Sequence, residues 1–381
     1  MLTALIARKR KNNNPPETVK NDLPFVSVLM AVYNEEIVIQ EKLQCLQNLN
    51  YPKDKIAVFI GSDCSSDQTN PIIQHIQTSF PQLFFHAFQE RQGKPGVVNQ
   101  LAQKAIQNAP TTTPHIFLMT DANVILEKNC LIHLARHFSD DEIVIVDANM
   151  VNTGMQKEGI SQSENQYISS EVRLKNNESI AWKLMAGPFG GCYALRASHF
   201  NPVPVNYLVD DFYITMKVIE QKGAVINDLN AICYEAISHE IKEEFRRKAR
   251  ISAGNFQNLV TFPHLWWPPY RLPGFVLFSH KVLRWMGPFL IIALLTSSTY
   301  LAFAKTESPI WSTFYPLSTL GIWSFVLVIP ILDNLLGRFG VHWLYFRSIR
   351  YFVLMNIALL KGFFNFLKGI KNNVWEPTKR N

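Results

Sequence analysis

The chain has 381 residues, 48% hydrophobic and 18% charged, and its 37 Lys plus Arg against 30 Asp plus Glu give a formal charge of +7. That length holds two or three folding units, and the composition excludes disordered, collagen-like and disulfide-scaffold chains. The charge is unevenly placed: residues 1–261 carry 25 Lys/Arg and 27 Asp/Glu, whereas residues 262–381 carry 12 and 3. The basic third is also the most apolar, as expected of membrane segments with basic ends, and no stripe of Lys/Arg interleaved with aromatics announces a nucleic-acid partner.

Met1 to Ala7 has too few apolar residues for a signal peptide, and the basic cluster Arg8 to Lys11 follows it instead of preceding it. It reads as the stub of a membrane helix or a short interfacial anchor, with Asn12 to Pro24 as a linker, so residues 1–23 are set apart from the rest of the chain. Five cysteines without a Cys-x-x-Cys pair give neither a disulfide framework nor a zinc site, and reduced cytosol fits best.

From Phe25 to about Ile232, short apolar or β-branched runs alternate with helical stretches. Val26 to Val32, Ile56 to Gly61, Leu83 to Ala87, Ile116 to Thr120 and Ile143 to Ala148 have strand character. Glu36 to Leu49, Asn70 to Phe80, Gly96 to Asn108 and Asn129 to Phe138 have helical spacing. Strand and helix in series predict an α/β fold with a doubly wound, mostly parallel sheet, helices on both faces, and ligands at the carboxyl ends of the strands. Each of the first four strands is followed by a polar cluster: Tyr33-Asn34-Glu35-Glu36, Ser62-Asp63-Cys64-Ser65-Ser66-Asp67, Arg91-Gln92-Gly93-Lys94 and Thr120-Asp121-Ala122-Asn123. One cluster is ordinary turn chemistry, but four at one sheet edge can take a base, ribose hydroxyls, a divalent cation and phosphate charge. There is no Gly-x-x-x-x-Gly-Lys-Ser/Thr loop and no glycine in the first strand-to-helix turn, so a nucleotide must be held by side chains and metal.

In order along the chain, Val26 to Glu36, Gly61 to Asp67, Gly93-Lys94, Thr120 to Asn123, Gly190 to Arg196 and Asp210-Asp211 resemble the motif series of family-2 glycosyltransferases, above all membrane-anchored cellulose-synthase-like and hyaluronan-synthase-like members. The resemblance covers residues 24 to 260 and, through Trp375-Glu376-Pro377, arguably the whole chain. It implies a GT-A fold, a Rossmann-like nucleotide-diphospho-sugar transferase sheet, over residues 24–261. It further implies a nucleotide-diphosphate sugar donor, UDP-sugar first and GDP-sugar second, a glycan or lipid-linked acceptor, and Mg²⁺ or Mn²⁺. Asp63 would meet the base, Asn34 and Glu35 would line the same pocket, and Lys94 would face the diphosphate. Asp121 would open the metal motif, whose third position is here Asn123, one charge poorer but still offering a carbonyl oxygen. Asp211 would be the general base, and Gly190, Gly191, Cys192, Tyr193 and Asp210 would face the acceptor. Arg247 and Arg250 fall in the place of the family's Gln-x-x-Arg-Trp motif. Arg250 keeps the arginine for the diphosphate, Arg247 replaces the glutamine on the acceptor side, and Ile251 replaces the stacking indole, which weighs against processive polymer synthesis.

The reaction so implied is a single displacement that inverts the anomeric centre, placing the protein in cell-surface polysaccharide or glycoconjugate synthesis. The alternatives are a polyprenyl-phosphate sugar transferase, whose phosphate acceptor needs no strong base, and an inactive membrane scaffold of the same fold. Beyond residue 262 the uncharged runs 285–304 and 308–332 are long enough to cross a bilayer, at about 20 residues per span. A stretch at about 345–367, interrupted by Lys361, is a third span or an interfacial helix. Two spans would return the chain to its starting side, with the basic tail (Lys368, Lys371, Lys379, Arg380) beside a cytosolic catalytic domain at the cell membrane.

Overall fold

The computed structural model describes residues 3–4, 6–7, 23–111, 113–154, 161–236, 241–304, 308–341 and 343–370. The basic cluster Arg8 to Lys11, most of the expected linker and the tail from Lys371 onward lie outside them. In chain order the first half runs β1 (Phe25–Val32), α1 (Ile39–Gln47), β2 (Ile56–Ser62), α2 (Thr69–Gln77), β3 (Leu83–Ala87), α3 (Gly93–Asn108), β4 (His115–Thr120), β5 (Val124–Leu126) and α4 (Cys130–Ala135). The second runs β6 (Ile143–Thr153), α5 (Ser161–Trp182), β7 (Cys192–Arg196), α6 (Asp210–Glu220), β8 (Ala224–Ala236) and α7 (Ile241–Thr261).

The eight strands form one sheet in the order β3-β2-β1-β4-β7-β6-β8-β5. Alternating side chains of β1 supply two apolar clusters, Leu29 and Ala31 on one face and Val26, Val28, Met30 and Val32 on the other. A strand covered on both faces reads as a continuous apolar run, which explains why these strands are legible. The sheet is less parallel than expected. β1, β2, β3 and β4 pair in parallel, as do β6 and β8, but β7 runs antiparallel between β4 and β6, and β5 antiparallel to β8. β7 is entered through a tight turn in which Gly187 and Gly190 take positive φ, and at its end Arg196 donates to the carbonyls of Phe138, Asp140 and Ile143.

The C-terminal helices are α8 (Leu272–Trp285), α9 (Gly287–Phe303), α10 (Pro309–Arg338) and α11 (Leu344–Leu367). Of the described helices, α10 and α11 are each long and apolar enough to cross a membrane. The run at 285–304 is not one straight span: α9 has 17 residues and meets α8 at a 59° bend. At 1.5 Å per residue that length is shorter than a bilayer core of about 30 Å, and α8 and α9 are long and apolar enough to cross a membrane only as a pair. The stretch at 345–367 forms the unbroken α11, which crosses α7 so closely that a Cβ on Gly362 would lie 2.4 Å from Cβ of Ser252. Ser252 Oγ donates to the Leu359 carbonyl at 2.8 Å, which fixes that crossing.

Candidate active site

Four loops close over the carboxyl ends of β1, β2, β3 and β4. Asn34 takes a left-handed φ of 52°, and its Oδ1 accepts from the Ser66 amide at 2.9 Å, while Glu35 N donates to Thr69 Oγ1 at 2.8 Å. The first two clusters are thereby one unit. Asp63 is fully buried and its oxygens accept from Arg91 Nε (3.0 Å) and from the amides of Gln92 and Gly93. Its side chain is not among those lining the cleft. As built, Asp63 anchors the turn into α3 and holds the Arg91 guanidinium 3.4 Å from the centre of the Tyr33 ring.

That anchored turn aims Lys94. Its Nζ bonds Asp121 Oδ1 at 2.7 Å and lies 4.0 Å from Asp210 Oδ2. Burial alone would lower the Lys94 ammonium, but Asp121, Asp210 and Asp211 outweigh it and hold its pKa above the usual value. Asp121 is tied to the acceptor-side turn through its amide, which donates to the Gly191 carbonyl at 3.1 Å. Thr120 Oγ1 donates to the same carbonyl and itself accepts from the buried Lys42. The six motifs therefore meet through backbone groups as much as through side chains.

Asp210 and Asp211 begin α6, where the unpaired amides of a helix start favour carboxylates. Both line the cleft. Burial, with Asp210 beside it, pushes the Asp211 carboxyl up to about 7, against the counter-pull of Lys94. A carboxylate titrating near neutrality suits a general base. Gly190 has φ +85° and packs against this group, so that a Cβ there would lie 2.6 Å from Asp211 Oδ2. Only glycine meets both demands at little cost.

These groups open into a single cleft of about 1590 Å³. Its floor carries Asn34, Glu35, Lys94, Asp121, Asn123, Gly190, Gly191, Asp210 and Asp211, and α7 adds Arg247 and Arg250. Its far wall is apolar, with Leu290 and Ile291 from α9 and Phe352, Met355 and Leu359 from α11. Cys192 and Tyr193 are 1% exposed core residues of β7, and their side chains are not among those lining the cleft. In a strand, alternation sends their side chains into the two faces of the sheet, so Gly190 and Gly191 alone carry that motif into the cleft. Arg247 Nε bonds Glu244 at 2.8 Å, and Arg250 Nη1 bonds the Leu208 carbonyl at 3.3 Å. Glu235, on the end of β8, was not anticipated; it lines the cleft and its Oε1 accepts from Asn123 Nδ2 at 3.2 Å. Its signal was only its pairing partner, since β5 sets Val124 opposite Glu235.

Residues 27–201 match the profile of glycosyl transferase family 2. The chain carries a family-2 glycosyltransferase domain. The chain is 32% identical over 127 residues to the beta-monoglucosyldiacylglycerol synthase of Trichormus variabilis, a stretch that is 33% of this chain and 26% of that protein. It is 26% identical over 154 residues to the poly(ribitol-phosphate) beta-N-acetylglucosaminyltransferase TarS of Staphylococcus aureus, covering 40% of this chain and 25% of that one. The chain thus spans about a quarter of the length of these curated relatives. Its fold matches the mannosyltransferase PcManGT of Pyrobaculum calidifontis, solved in complex with GDP-Man and Mn²⁺, with a TM-score of 0.68 and 17% identity over 96% of this chain and 94% of that one. The family-2 domain therefore has the GT-A fold, and the likeness extends into its C-terminal helices.

Proposed function

We propose that the family-2 domain moves a hexose from a nucleotide-diphosphate sugar, UDP-sugar first, onto a membrane-associated lipid or lipid-linked glycan, with inversion at the anomeric carbon. The observation that carries this reading is one cleft with a near-neutral carboxyl, Asp211, beside the Lys94–Asp121 pair, walled on its far side by the apolar α9 and α11. Asn34 and Glu35 bound the nucleotide end, and the cleft-lining Tyr33 ring, with the Arg91 guanidinium 3.4 Å from its centre, offers a stacking surface to the base. Lys94, with Arg250 from α7, answers the diphosphate charge. Asp211 takes the proton of the acceptor hydroxyl as its oxygen bonds the anomeric carbon and the bond to the diphosphate breaks, the electron pair leaving with the nucleoside diphosphate.

Among the described residues no group of three or more His, Cys, Asp or Glu converges to hold a metal unaided. That fits Mg²⁺ or Mn²⁺, which are held by one or two protein oxygens together with substrate phosphates. Asp121, 37% exposed in its side chain, and the carbonyl of Asn123, whose amide nitrogen faces Glu235, are the oxygens on offer. When bound, the ion would offset charge growing on the leaving diphosphate. On this reading α10, α11 and the α8–α9 pair enter the bilayer in two or three spans, a role their length and apolar composition support, with the domain on the cytosolic face of the cell membrane.

The test is release of free nucleoside diphosphate from a panel of nucleotide sugars by detergent-solubilised full-length protein with Mg²⁺ or Mn²⁺. The reading expects one donor to turn over and Asp121→Ala and Asp211→Asn each to lower that turnover at least about a hundredfold. Failure of every donor to bind or turn over would leave the scaffold alternative standing.

A further inference from the structure

We propose that the membrane end of this cleft is a phosphate subsite, so that the acceptor is an anionic lipid whose phosphate lies between its apolar chains and the hydroxyl that receives the sugar. The inference rests on the glycosyl-transfer reading and names the acceptor class for it. Its basis is a set of cations that the reaction at Asp211 does not use.

Two buried carboxylates are each shared by two cations, and all four cations line the cleft. Glu244 accepts from Arg247 Nε at 2.8 Å and forms an ion pair with Lys248 Nζ at 3.3 Å. Glu171 bonds Lys281 Nζ at 2.6 Å and Arg284 Nη1 at 2.8 Å, and also His280 Nε2 at 3.0 Å. The other nitrogen of that imidazole meets Glu178 Oε1 at 2.8 Å. Tyr167 draws the two groups together: its hydroxyl accepts from Arg284 Nη1 at 2.8 Å, and Lys248 Nζ lies 5.0 Å from its ring centre. Burial would raise Glu244, yet Lys248 and Arg247 hold it down at about 2, so it stays ionised beneath them.

Burying so many ions beside an apolar wall gains the fold little, because desolvation cancels most of the attraction and apolar residues serve packing as well. What the arrangement achieves is order: long, flexible cationic chains are fixed by buried anchors before any ligand arrives. Their place also fits. Lys281 and Arg284 directly precede α9, and Trp285 packs edge-on against Phe212, the neighbour of Asp211, with ring centres 5.4 Å apart. Carboxylate, cations and apolar wall thus follow one another as hydroxyl, phosphate and acyl chain do in a phosphoglycerolipid with a free headgroup hydroxyl. A phosphate oxygen as the attacking group would need no base and would meet the repulsion of Asp210 and Asp211, so the hydroxyl is assigned to Asp211 and the phosphate to Arg284 and its neighbours.

The test is equilibrium binding to full-length protein in neutral detergent, read by tryptophan fluorescence, with short-chain phosphatidylglycerol, short-chain diacylglycerol, inorganic phosphate and UDP or GDP as probes. Phosphatidylglycerol is expected to bind at least about tenfold tighter than diacylglycerol, to be displaced by inorganic phosphate, and to weaken about tenfold in Arg284→Gln and Lys281→Gln, less in Arg284→Lys. Diacylglycerol binding should not respond to these substitutions. Equal affinity for the two lipids in the unsubstituted protein overturns the proposal and requires no variant to fold. Phosphate binding as tightly as phosphatidylglycerol also overturns it, making this a free-phosphate site. Absence of the lipid preference in the unsubstituted protein, with nucleotide binding intact, refutes the subsite alone. Absent nucleotide binding counts against glycosyl transfer, while a retained preference for phosphatidylglycerol still supports the subsite.

Discussion

The two sides of the cleft are built by different means. On the side of β1 to β4, short loops hold one another through backbone amides: Ser66 N on Asn34, Gly93 N on Asp63, Asp121 N on the Gly191 carbonyl. On the side of α5, α7 and α8, long side chains are fixed by buried ions: Glu171, Glu178 and Glu244 beneath His280, Lys281, Arg284, Arg247 and Lys248. Backbone-held loops suit a constant ligand such as a nucleotide diphosphate, whereas side-chain ions are the part most easily changed to suit a different acceptor.

The largest expected effect is at the proposed base. Asp211→Asn should lower turnover by about 10² to 10⁴-fold with nucleotide affinity kept, measured as nucleoside diphosphate release beside direct nucleotide binding. Asp121→Ala should cost about 10² to 10³-fold and also weaken the metal–nucleotide complex, which separates the donor side from the base. A purely structural role would instead lower the melting temperature in both variants and leave no such split.

Stability distinguishes the sides further. Lys175 is fully buried on α5, bonds Asp147 Oδ2 at 3.0 Å and lies 3.5 Å from the Phe189 ring centre, in the turn before Gly190. Burial raises the Asp147 carboxyl, with Lys175 opposing, so Lys175→Met leaves an acid with no cationic partner. Chemical denaturation should show a loss of about 3 to 5 kcal/mol. Gly190→Ala should cost less, about 1 to 3 kcal/mol, from positive φ and the clash with Asp211, and should lower turnover beyond what its stability explains. The smallest effect is one of pH. The folded Asp211 carboxyl sits at about 7 against the usual 3.8, so the stabilisation from its protonated form is complete below 3.8 and is lost as pH rises through 7. Asp211→Asn, which cannot ionise, should gain melting temperature over the unsubstituted protein between pH 5 and pH 8.5, and a constant gap would contradict the burial of Asp211.

Legibility from sequence follows the same division. β1, β2 and β3 stand where their apolar runs predict them, and the clusters after the first four strands do meet at one edge. α5 was missed for a physical reason: its inward positions Glu171, Lys175 and Glu178 are charged, so no apolar periodicity marks the face that is buried. β7 is five residues whose antiparallel place is decided by distant partners, β4 and β6. Its Cys192 and Tyr193 are buried in the two faces of the sheet, whereas the two glycines before them line the cleft. Nothing in the sequence marks Lys281 and Arg284 as cleft residues; only their shared anchor, Glu171, more than 100 residues away in sequence, brings them to it.

The most direct measurement is the pH dependence of nucleoside diphosphate release, with the donor that turns over, for the unsubstituted protein and for Asp211→Asn. The rate should rise with pH through about 7 as Asp211 gives up its proton, and Asp211→Asn should be slow and without that rise. An unchanged rate and an unchanged ascending limb in Asp211→Asn would contradict the assignment of Asp211 as the base.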